Sequence, residues 1–319
     1  MRDIRAALSC MLPVLVLLAL AIVPSSGASD LASLRSWNLE NPNEIILCGG
    51  KEVYILDLSR KENRRPAKVW SWIAAERPDL PESVRGTFGT TDECKPIDGG
   101  TKILVTSSGG GVALVDRKSG RPLFYCVVDH AHSADILPGG RVAVAGADEG
   151  DGKGNCLAVF DLRVPTKLVW RGELSSGHGV VWDSQRRILW ALGANAVKAY
   201  RLRDWDSDAP HLTMVGQYEL PETGGHDLYP VPNSPMLSVS TWGHCWLFDR
   251  DKHTISPHPD LPKLVSVKSI SPNPVTGRLA YIKADENWWT NTVRLLRPTG
   301  TIERKGDIIY KARWNCRVR

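Results

Sequence analysis

The chain has 319 residues, of which 42% are hydrophobic and 24% are charged. These fractions are typical of a folded protein, and they exclude a disordered chain or a collagen-like repeat. The net charge is only +5, and the basic residues are interspersed with acidic ones, so we expect no nucleic-acid-binding surface.

Residues 1–28 have the pattern of a secretory signal peptide. Arg2 and Arg5 precede an apolar run from Met11 to Val23, and small residues up to Ala28 suit a signal peptidase. The alternative, a membrane anchor, needs about 20 apolar residues to span a bilayer, and this run is shorter. We therefore predict an exported protein, periplasmic or secreted, with no integral membrane segment. Its mature part, residues 29–319, is predicted to be a single domain.

Six cysteines remain after that cleavage, and none forms a CxxC or CxxCH motif. Zinc-ribbon and c-type haem sites are therefore not supported. An exported chain with six cysteines can form disulfides, and buried free thiols are the alternative.

A pair of strand-like runs recurs six times along the mature chain. In four of the pairs the second run ends at an acidic residue, namely Asp57, Asp116, Asp161 or Asp249. Gly-rich or polar turns separate the two runs, as hairpins require. A third strand-like segment precedes five of the pairs. The copies recur every 40 to 48 residues, which is the period of a β-propeller blade.

The C-terminal segment DIIYKARW, residues 307–314, follows the fifth such segment at the same spacing but has no strand pair after it. Conversely, the first strand pair has no segment before it. We therefore predict an all-β fold, a six-bladed β-propeller, in which the C-terminus supplies the inner strand of the N-terminal blade. That closure leaves no open sheet edge in the ring. An open β-sandwich, the alternative, leaves the repeat unexplained.

The repeat predicts a ring of polar residues where the inner strands begin. The aligned positions, one per blade, are Asp92, His132, His178, His226, Lys268 and Lys311. Three converging imidazoles can hold a divalent metal such as Mn, Zn or Ca, with Asp92 or Glu93 as a carboxylate ligand. Without metal, the histidines could act as general base and acid, while Lys268 and Lys311 bind an anion such as a sugar carboxylate. A channel lined with polar residues and water is the third alternative.

Four other residues are candidates for binding a substrate. Tyr229 lies three residues beyond His226 on the same predicted strand, where it either contacts a sugar or packs between blades. Trp288 and Trp289 are adjacent in a polar loop, so that one could cover a blade edge and the other stack on a ligand ring. His244, in the segment TWGHCW, could reach the mouth of the channel.

Six segments together resemble one family of exported bacterial β-propeller proteins, catalogued as a domain of unknown function and frequent in polysaccharide-degrading bacteria. The segments are TTDECKP, SSGGGVALVD, AHSADILP, SGHGVVWD, TGGHDLYP and KADENWWT. The resemblance spans about residues 42–316 and implies fold and export, but no activity. A weaker likeness, of architecture and residue types only, links the site to propeller polysaccharide lyases that use a His-bound metal. Function cannot be inherited from fold.

The leading functional hypothesis is a carbohydrate-active enzyme, a metal-assisted lyase or hydrolase acting on an acidic or modified sugar. The alternative is a non-catalytic propeller that binds a glycan or a protein. An enzyme would depend on the histidines, whereas a binding module would depend on aromatic residues around the mouth.

Overall fold

A computed structural model of the chain describes residues 40–148 and 154–316, and the predicted signal peptide at 1–28 lies outside them. The described residues form 24 β-strands, one 3-10 helix (Ala74–Glu76) and one short α-helix (Glu82–Arg85). The strands make six antiparallel sheets of four strands each. No helix among the described residues is long and apolar enough to cross a membrane.

The sheets are numbered as blades 1 to 6 in chain order. Blade 1 contains β1 (Glu44–Gly49), β2 (Glu52–Glu62), β3 (Arg65–Ile73) and β24 (Ile309–Trp314). Blade 2 contains β4 (Thr91–Ile97), β5 (Lys102–Ser107), β6 (Gly111–Asp116) and β7 (Pro122–Val127). Blade 3 contains β8 (Ala131–Leu137), β9 (Arg141–Gly146), β10 (Cys156–Asp161) and β11 (Leu168–Glu173). Blade 4 contains β12 (Gly179–Asp183), β13 (Ile188–Leu192), β14 (Ala196–Arg203) and β15 (His211–Glu219). Blade 5 contains β16 (Asp227–Pro230), β17 (Met236–Ser240), β18 (Cys245–Asp249) and β19 (Thr254–Pro257). Blade 6 contains β20 (Val267–Pro272), β21 (Leu279–Lys283), β22 (Thr292–Leu296) and β23 (Gly300–Glu303).

The blades close into a ring around an axial channel. Their inner strands contact one another in the cyclic order β24, β4, β8, β12, β16 and β20. In blade 1 the C-terminal strand β24 pairs antiparallel with β1, with Arg313 opposite Ile46. The six-bladed propeller and its closure by the C-terminus are therefore confirmed.

The hydrophobic core lies between the blades because alternate side chains of each strand face the neighbouring sheets. One cluster, for example, joins Ile46 and Val53 of blade 1 to Ile103 and Val105 of blade 2, all fully buried. The six described cysteines are buried, form no disulfide, and in most cases pack within these clusters. They behave as small apolar residues, which was one of the two alternatives open from the sequence.

The inner strands have one edge that faces the channel and is not paired within the sheet. Side chains of the preceding blade accept hydrogen bonds from the backbone N–H groups of that edge. The Ser269 hydroxyl accepts a hydrogen bond from Ala312 N–H at 3.1 Å, and the Ser271 hydroxyl accepts one from Trp314 N–H at 3.1 Å. The carboxylate of Asp227 does the same for Ile270 N–H at 2.9 Å. Serine and aspartate therefore recur on these strands because an unpaired buried N–H costs about 1–3 kcal/mol.

Four of the six inner strands have a β-bulge near their first residue, and the bulge determines which residue faces the channel mouth. The extra residue is Asp92 in blade 2, His132 in blade 3, Lys268 in blade 6 and Tyr310 in blade 1. Alignment of Lys311 with the other ring positions is therefore wrong by one residue. The bulge in β24 inserts Tyr310, and Lys311 returns to the regular pairing opposite Cys48.

Blades 4 and 5 have the same irregularity immediately before the inner strand. His178 N–H donates to the carbonyl of Leu192, which also pairs with Gly179. His226 N–H donates to the carbonyl of Ser240, which also pairs with Asp227. Two residues thus oppose one in every blade, and the first of the two lies at the mouth.

Candidate functional site

The end of the channel where the inner strands begin is here named the histidine mouth. Its six bulge residues are Asp92, His132, His178, His226, Lys268 and Tyr310. The ring therefore contains five of the six residues predicted for it, with Tyr310 in the place of Lys311.

The three histidine rings lie side by side, the first two stacked and the third tilted by 41° from its neighbour. His132 and His178 lie with ring centroids 4.2 Å apart and planes 15° from parallel, and His178 and His226 lie 5.1 Å apart. The lone pair of an imidazole nitrogen lies in the plane of its ring. Two parallel rings at this separation therefore do not direct their lone pairs at one point.

Hydrogen bonds determine which nitrogen of each ring carries the proton. Nδ1 of His178 lies 3.0 Å from the backbone carbonyl of Ser176, and Nδ1 of His226 lies 2.6 Å from that of Gly224. A carbonyl oxygen only accepts, so Nδ1 donates in both rings and Nε2 keeps its lone pair. No described residue forms a hydrogen bond with Nε2 of either ring. Such anchoring of Nδ1 is also how proteins orient metal-binding histidines.

Burial keeps two of these imidazoles neutral. It lowers the pKa of His178 well below the usual value, and the adjacent His132 and His226 lower it further. Burial and the nearby Lys268 lower the pKa of His226 to about 3. Both rings are therefore uncharged near pH 7 and act as hydrogen-bond acceptors or ligands, since a base of such low pKa takes up protons poorly.

His132 differs because it has a carboxylate partner. Its Nδ1 lies 3.2 Å from Oδ1 of Asp92, and the other oxygen of this carboxylate accepts a hydrogen bond from Ser108 N–H. Nδ1 of His132 is buried and forms no hydrogen bond with any residue that the structure describes, so the contact with Asp92 is one of proximity and does not select the tautomer of the ring. Among the three histidines, His132 is the one with a carboxylate beside its ring.

Lys268 and Trp242 form the other side of the mouth. The Lys268 ammonium lies 4.5 Å from the centroid of the Trp242 ring, which also meets His226 edge to face at 4.4 Å. Burial, followed by the charge of Lys311, lowers the pKa of Lys268 to about 8. At neutral pH the ammonium is therefore mostly charged. Trp242 is 54% exposed and presents an aromatic surface to solvent.

Sequence reasoning missed Trp242. It lies in the loop between β17 and β18, away from the inner strands that define the repeat. The segment TWGHCW contained the signal, since a tryptophan in a short polar turn has little core to enter, but only its histidine was selected. His244 of that segment lies at the rim, 3.0 Å from the carboxylate of Glu222.

The two predicted tryptophans of the polar loop have different surroundings. Trp288 packs edge to face on Tyr310 with centroids 6.1 Å apart, and Tyr310 lies 6.2 Å from His132. Trp288 is thus connected to the mouth. Trp289 is partly buried, and its backbone pairs with Glu286, closing the loop on itself.

Glu93 and Lys311 lie one layer below the mouth, in an ionic cluster that we name the axial plug. Its four members, Glu93, Asp227, Lys311 and Arg313, are almost completely buried. Arg313 donates to both carboxylates, at 2.8 Å to Glu93 and 2.6 Å to Asp227. The Lys311 ammonium lies 3.2 Å from Asp227 and 3.6 Å from Glu93.

The axial plug gives Glu93 and Lys311 roles other than the metal binding and anion binding predicted for them from the sequence. Burial opposes ionisation of Glu93, but Arg313 and Lys311 outweigh it and lower the pKa of Glu93 far below its usual value. Because both of its oxygens are bonded to Arg313, Glu93 is not placed as a metal ligand at the mouth. Lys311 likewise neutralises carboxylates of the plug and is not placed to bind an external anion.

Tyr229 lies beyond the plug, away from the histidine mouth. Its ring stacks on the guanidinium of Arg313 at 4.1 Å, and it lines a cavity at the opposite end of the channel. Within residues 40–148 and 154–316, no three His, Cys, Asp or Glu side chains are placed together so as to hold a metal ion. The divalent metal therefore stays a prediction.

These features define a six-bladed β-propeller whose channel mouth has a ring of imidazole, carboxylate, ammonium and phenol groups. Residues 8–317 match a family of unknown function, DUF6528, and the chain belongs to that family. No curated protein matches the sequence.

Proposed function

We propose that the histidine mouth binds an acidic or modified sugar and acts on it as a lyase or hydrolase. The observation that carries the proposal is the position of one charged ammonium, Lys268, beside three imidazoles and beneath an exposed indole, Trp242. The predicted export from residues 1–28 would place this activity in the periplasm or outside the cell.

Binding follows from the chemistry of an acidic sugar. The apolar face of a pyranose ring stacks on an exposed aromatic ring, which Trp242 provides. The carboxylate of the sugar would pair with the ammonium of Lys268, a residue only 2% exposed, whose burial strengthens the attraction. His178 and His226, being neutral, would accept hydrogen bonds from sugar hydroxyls without attracting or repelling charge.

Catalysis would depend on His132. In a lyase reaction its Nε2 would take the proton on the carbon next to the sugar carboxylate, and a carbon–carbon double bond would form as the bond to the glycosidic oxygen breaks. The leaving oxygen would take up a proton from water, and the imidazolium would return its proton to solvent. In a hydrolase reaction the same nitrogen would take a proton from water as the water oxygen bonds to the anomeric carbon and the glycosidic bond breaks, and the leaving oxygen would take up a proton from solvent. Asp92 would stabilise the imidazolium in either case.

We expect His132→Gln to abolish turnover of an acidic oligosaccharide by the mature protein while binding is reduced only slightly. A base in the transition state contributes about 10²- to 10⁴-fold to the rate. The assay follows unsaturated product by ultraviolet absorbance and reducing ends by a colour reaction, over a panel of polyuronates. The matched control is His211→Gln, because His211 is exposed on the outer strand β15. Activity retained in His132→Gln would exclude the catalytic assignment.

A non-catalytic glycan-binding propeller is the second candidate, and the 54% exposure of Trp242 favours it. In that case no substrate is turned over, His132→Gln binds normally, and Trp242→Ala alone abolishes binding. The turnover assay on the wild type therefore distinguishes the two functions, and calorimetry with the same polyuronates measures the binding that both of them require.

The predicted divalent metal is tested by elemental analysis of protein purified without chelator or nickel resin. A metal at the mouth would require the stacked rings of His132 and His178 to turn so that their lone pairs converge. If metal is a native component, we expect one equivalent of manganese, zinc or calcium, lost in the double variant His132→Ala/His178→Ala. If none is present and none is taken up on addition, the mouth operates without metal.

A further inference from the structure

The end of the channel away from the histidine mouth contains a cavity of about 1060 Å³, which we name the opposite cavity. It is formed where the inner strands end, by residues such as Ile97 of β4, Ile136 of β8 and Pro230 of β16. The axial plug separates it from the histidine mouth, since Glu93, Lys311 and Arg313 are fully buried between the two. The opposite cavity is therefore a separate site.

Most charged groups in the wall of the opposite cavity pair with one another. Asp183 accepts hydrogen bonds from Arg186 at 2.9 Å and from Arg250 at 2.7 Å, and Asp251 accepts one from Arg186 at 2.8 Å. At the rim, Asp98 pairs with Lys102. These pairs leave little net charge to select an ionic ligand.

The cation at the floor of the opposite cavity, Lys95, is also bonded to groups of the protein itself. The Lys95 ammonium donates to the backbone carbonyls of Ala134 at 2.9 Å and Val180 at 2.6 Å, and it lies 4.0 Å from the carboxylate of Asp135. With its donors engaged by protein oxygens, Lys95 is not placed to capture an anion.

Three polar or aromatic groups in the opposite cavity remain available to a ligand. Tyr229 is 95% buried, yet its hydroxyl forms no hydrogen bond with any residue that the structure describes. Asp135 accepts from Trp182 N–H at 2.9 Å through Oδ2 and from Ile136 N–H at 2.8 Å through Oδ1. Its side chain keeps 20% exposure, and each carboxylate oxygen can accept a second hydrogen bond from a ligand. The indole of Trp182 lines the same cavity and is partly exposed.

From these contacts we infer that the opposite cavity binds a neutral oligosaccharide. A neutral sugar matches the available groups, because its hydroxyls donate to a carboxylate and exchange hydrogen bonds with a phenol, and its ring face stacks on an indole. The ion pairs of the wall exclude a strong preference for either charge. A cavity of this volume is large enough for a ligand of several sugar rings.

The test is isothermal titration calorimetry of the mature protein with four neutral hexasaccharides: cellohexaose, xylohexaose, mannohexaose and maltohexaose. We expect at least one to bind. Tyr229→Phe keeps the ring on Arg313 and removes only the hydroxyl, so it should weaken binding roughly 3- to 10-fold. Asp135→Asn keeps an acceptor for Trp182 N–H, removes the charge and gives up the acceptor for Ile136 N–H, and it should weaken binding to a similar extent. Thermal melts confirm that each variant is folded.

Trp242→Ala is the matched control, because it alters the histidine mouth alone and should leave neutral-sugar binding unchanged. The inference is overturned if no hexasaccharide binds, or if Tyr229→Phe and Asp135→Asn both bind as the wild type does. It is equally overturned if Trp242→Ala removes the binding. It is also overturned if spermidine or trigalacturonate binds in the opposite cavity in place of the neutral sugars. The polyuronate assays at the histidine mouth are independent of every one of these outcomes.

Discussion

Replacing Arg313 with methionine should lower the free energy of unfolding by about 3–5 kcal/mol, as expected when one partner of a buried ion pair is removed. The guanidinium donates to Glu93 and Asp227 at 2.6–3.1 Å, and all three side chains are buried. Methionine fills much of the space but leaves Lys311 as the only cation of the plug. Two carboxylates would then share one ammonium in surroundings of low polarity.

Urea denaturation of the wild type and the variant measures this change. The control is Lys68→Met, which removes a pair with Glu52 in which the lysine side chain is 36% exposed, and we expect a loss of about 1 kcal/mol or less. Adding Glu93→Gln to Arg313→Met should recover part of the stability, because Lys311 then pairs with the single remaining carboxylate of Asp227 and no charge of the plug is left without a partner. A loss in Arg313→Met no larger than that in Lys68→Met would show that the plug does not stabilise the ring.

Acidification from pH 7 to pH 5 should destabilise the protein, and His226 alone should account for about 2 kcal/mol. Its pKa is about 3 in the folded protein because of burial and the charge of Lys268, whereas an imidazole in the unfolded chain has a pKa near 6.5. Below pH 6.5 the unfolded chain therefore binds a proton that the folded protein does not. Stability is lost as the pH falls from that value towards the folded pKa.

The buried His178 and His258 have pKa values shifted in the same direction and should steepen the slope. The shifts of Glu93 and Asp227 act at lower pH, because these carboxylates ionise below the usual carboxylate range. Urea melts at pH 7, 6 and 5 measure the slope. His226→Gln should flatten it, whereas His211→Gln, on the surface, should not. An unchanged slope in His226→Gln would mean that this ring is protonated in the folded protein.

The sequence by itself determined the architecture and most of the mouth. A propeller blade is a local unit, built from hairpins whose turns and apolar runs recur at a visible period, so the blades can be counted along the chain. Ring closure followed from the count, because one inner strand was missing at the N-terminus and one was left over at the C-terminus. Since the repeat places equivalent residues at equivalent points of the ring, the approach of His132, His178 and His226 was predictable as well.

The tertiary structure decided what spacing alone does not encode. The bulge in β24 selects Tyr310 over Lys311 through pairing with β1, a strand more than 250 residues earlier in the chain. The axial plug joins Glu93, Asp227 and Arg313 across 86 and 220 residues, and which of these charges meet depends on the depth of each along the channel. Trp242 enters the mouth from a loop outside the repeat. Local hydrogen bonding and apolar periodicity define a blade, whereas the partners of a buried charge are determined only once six blades have closed around it.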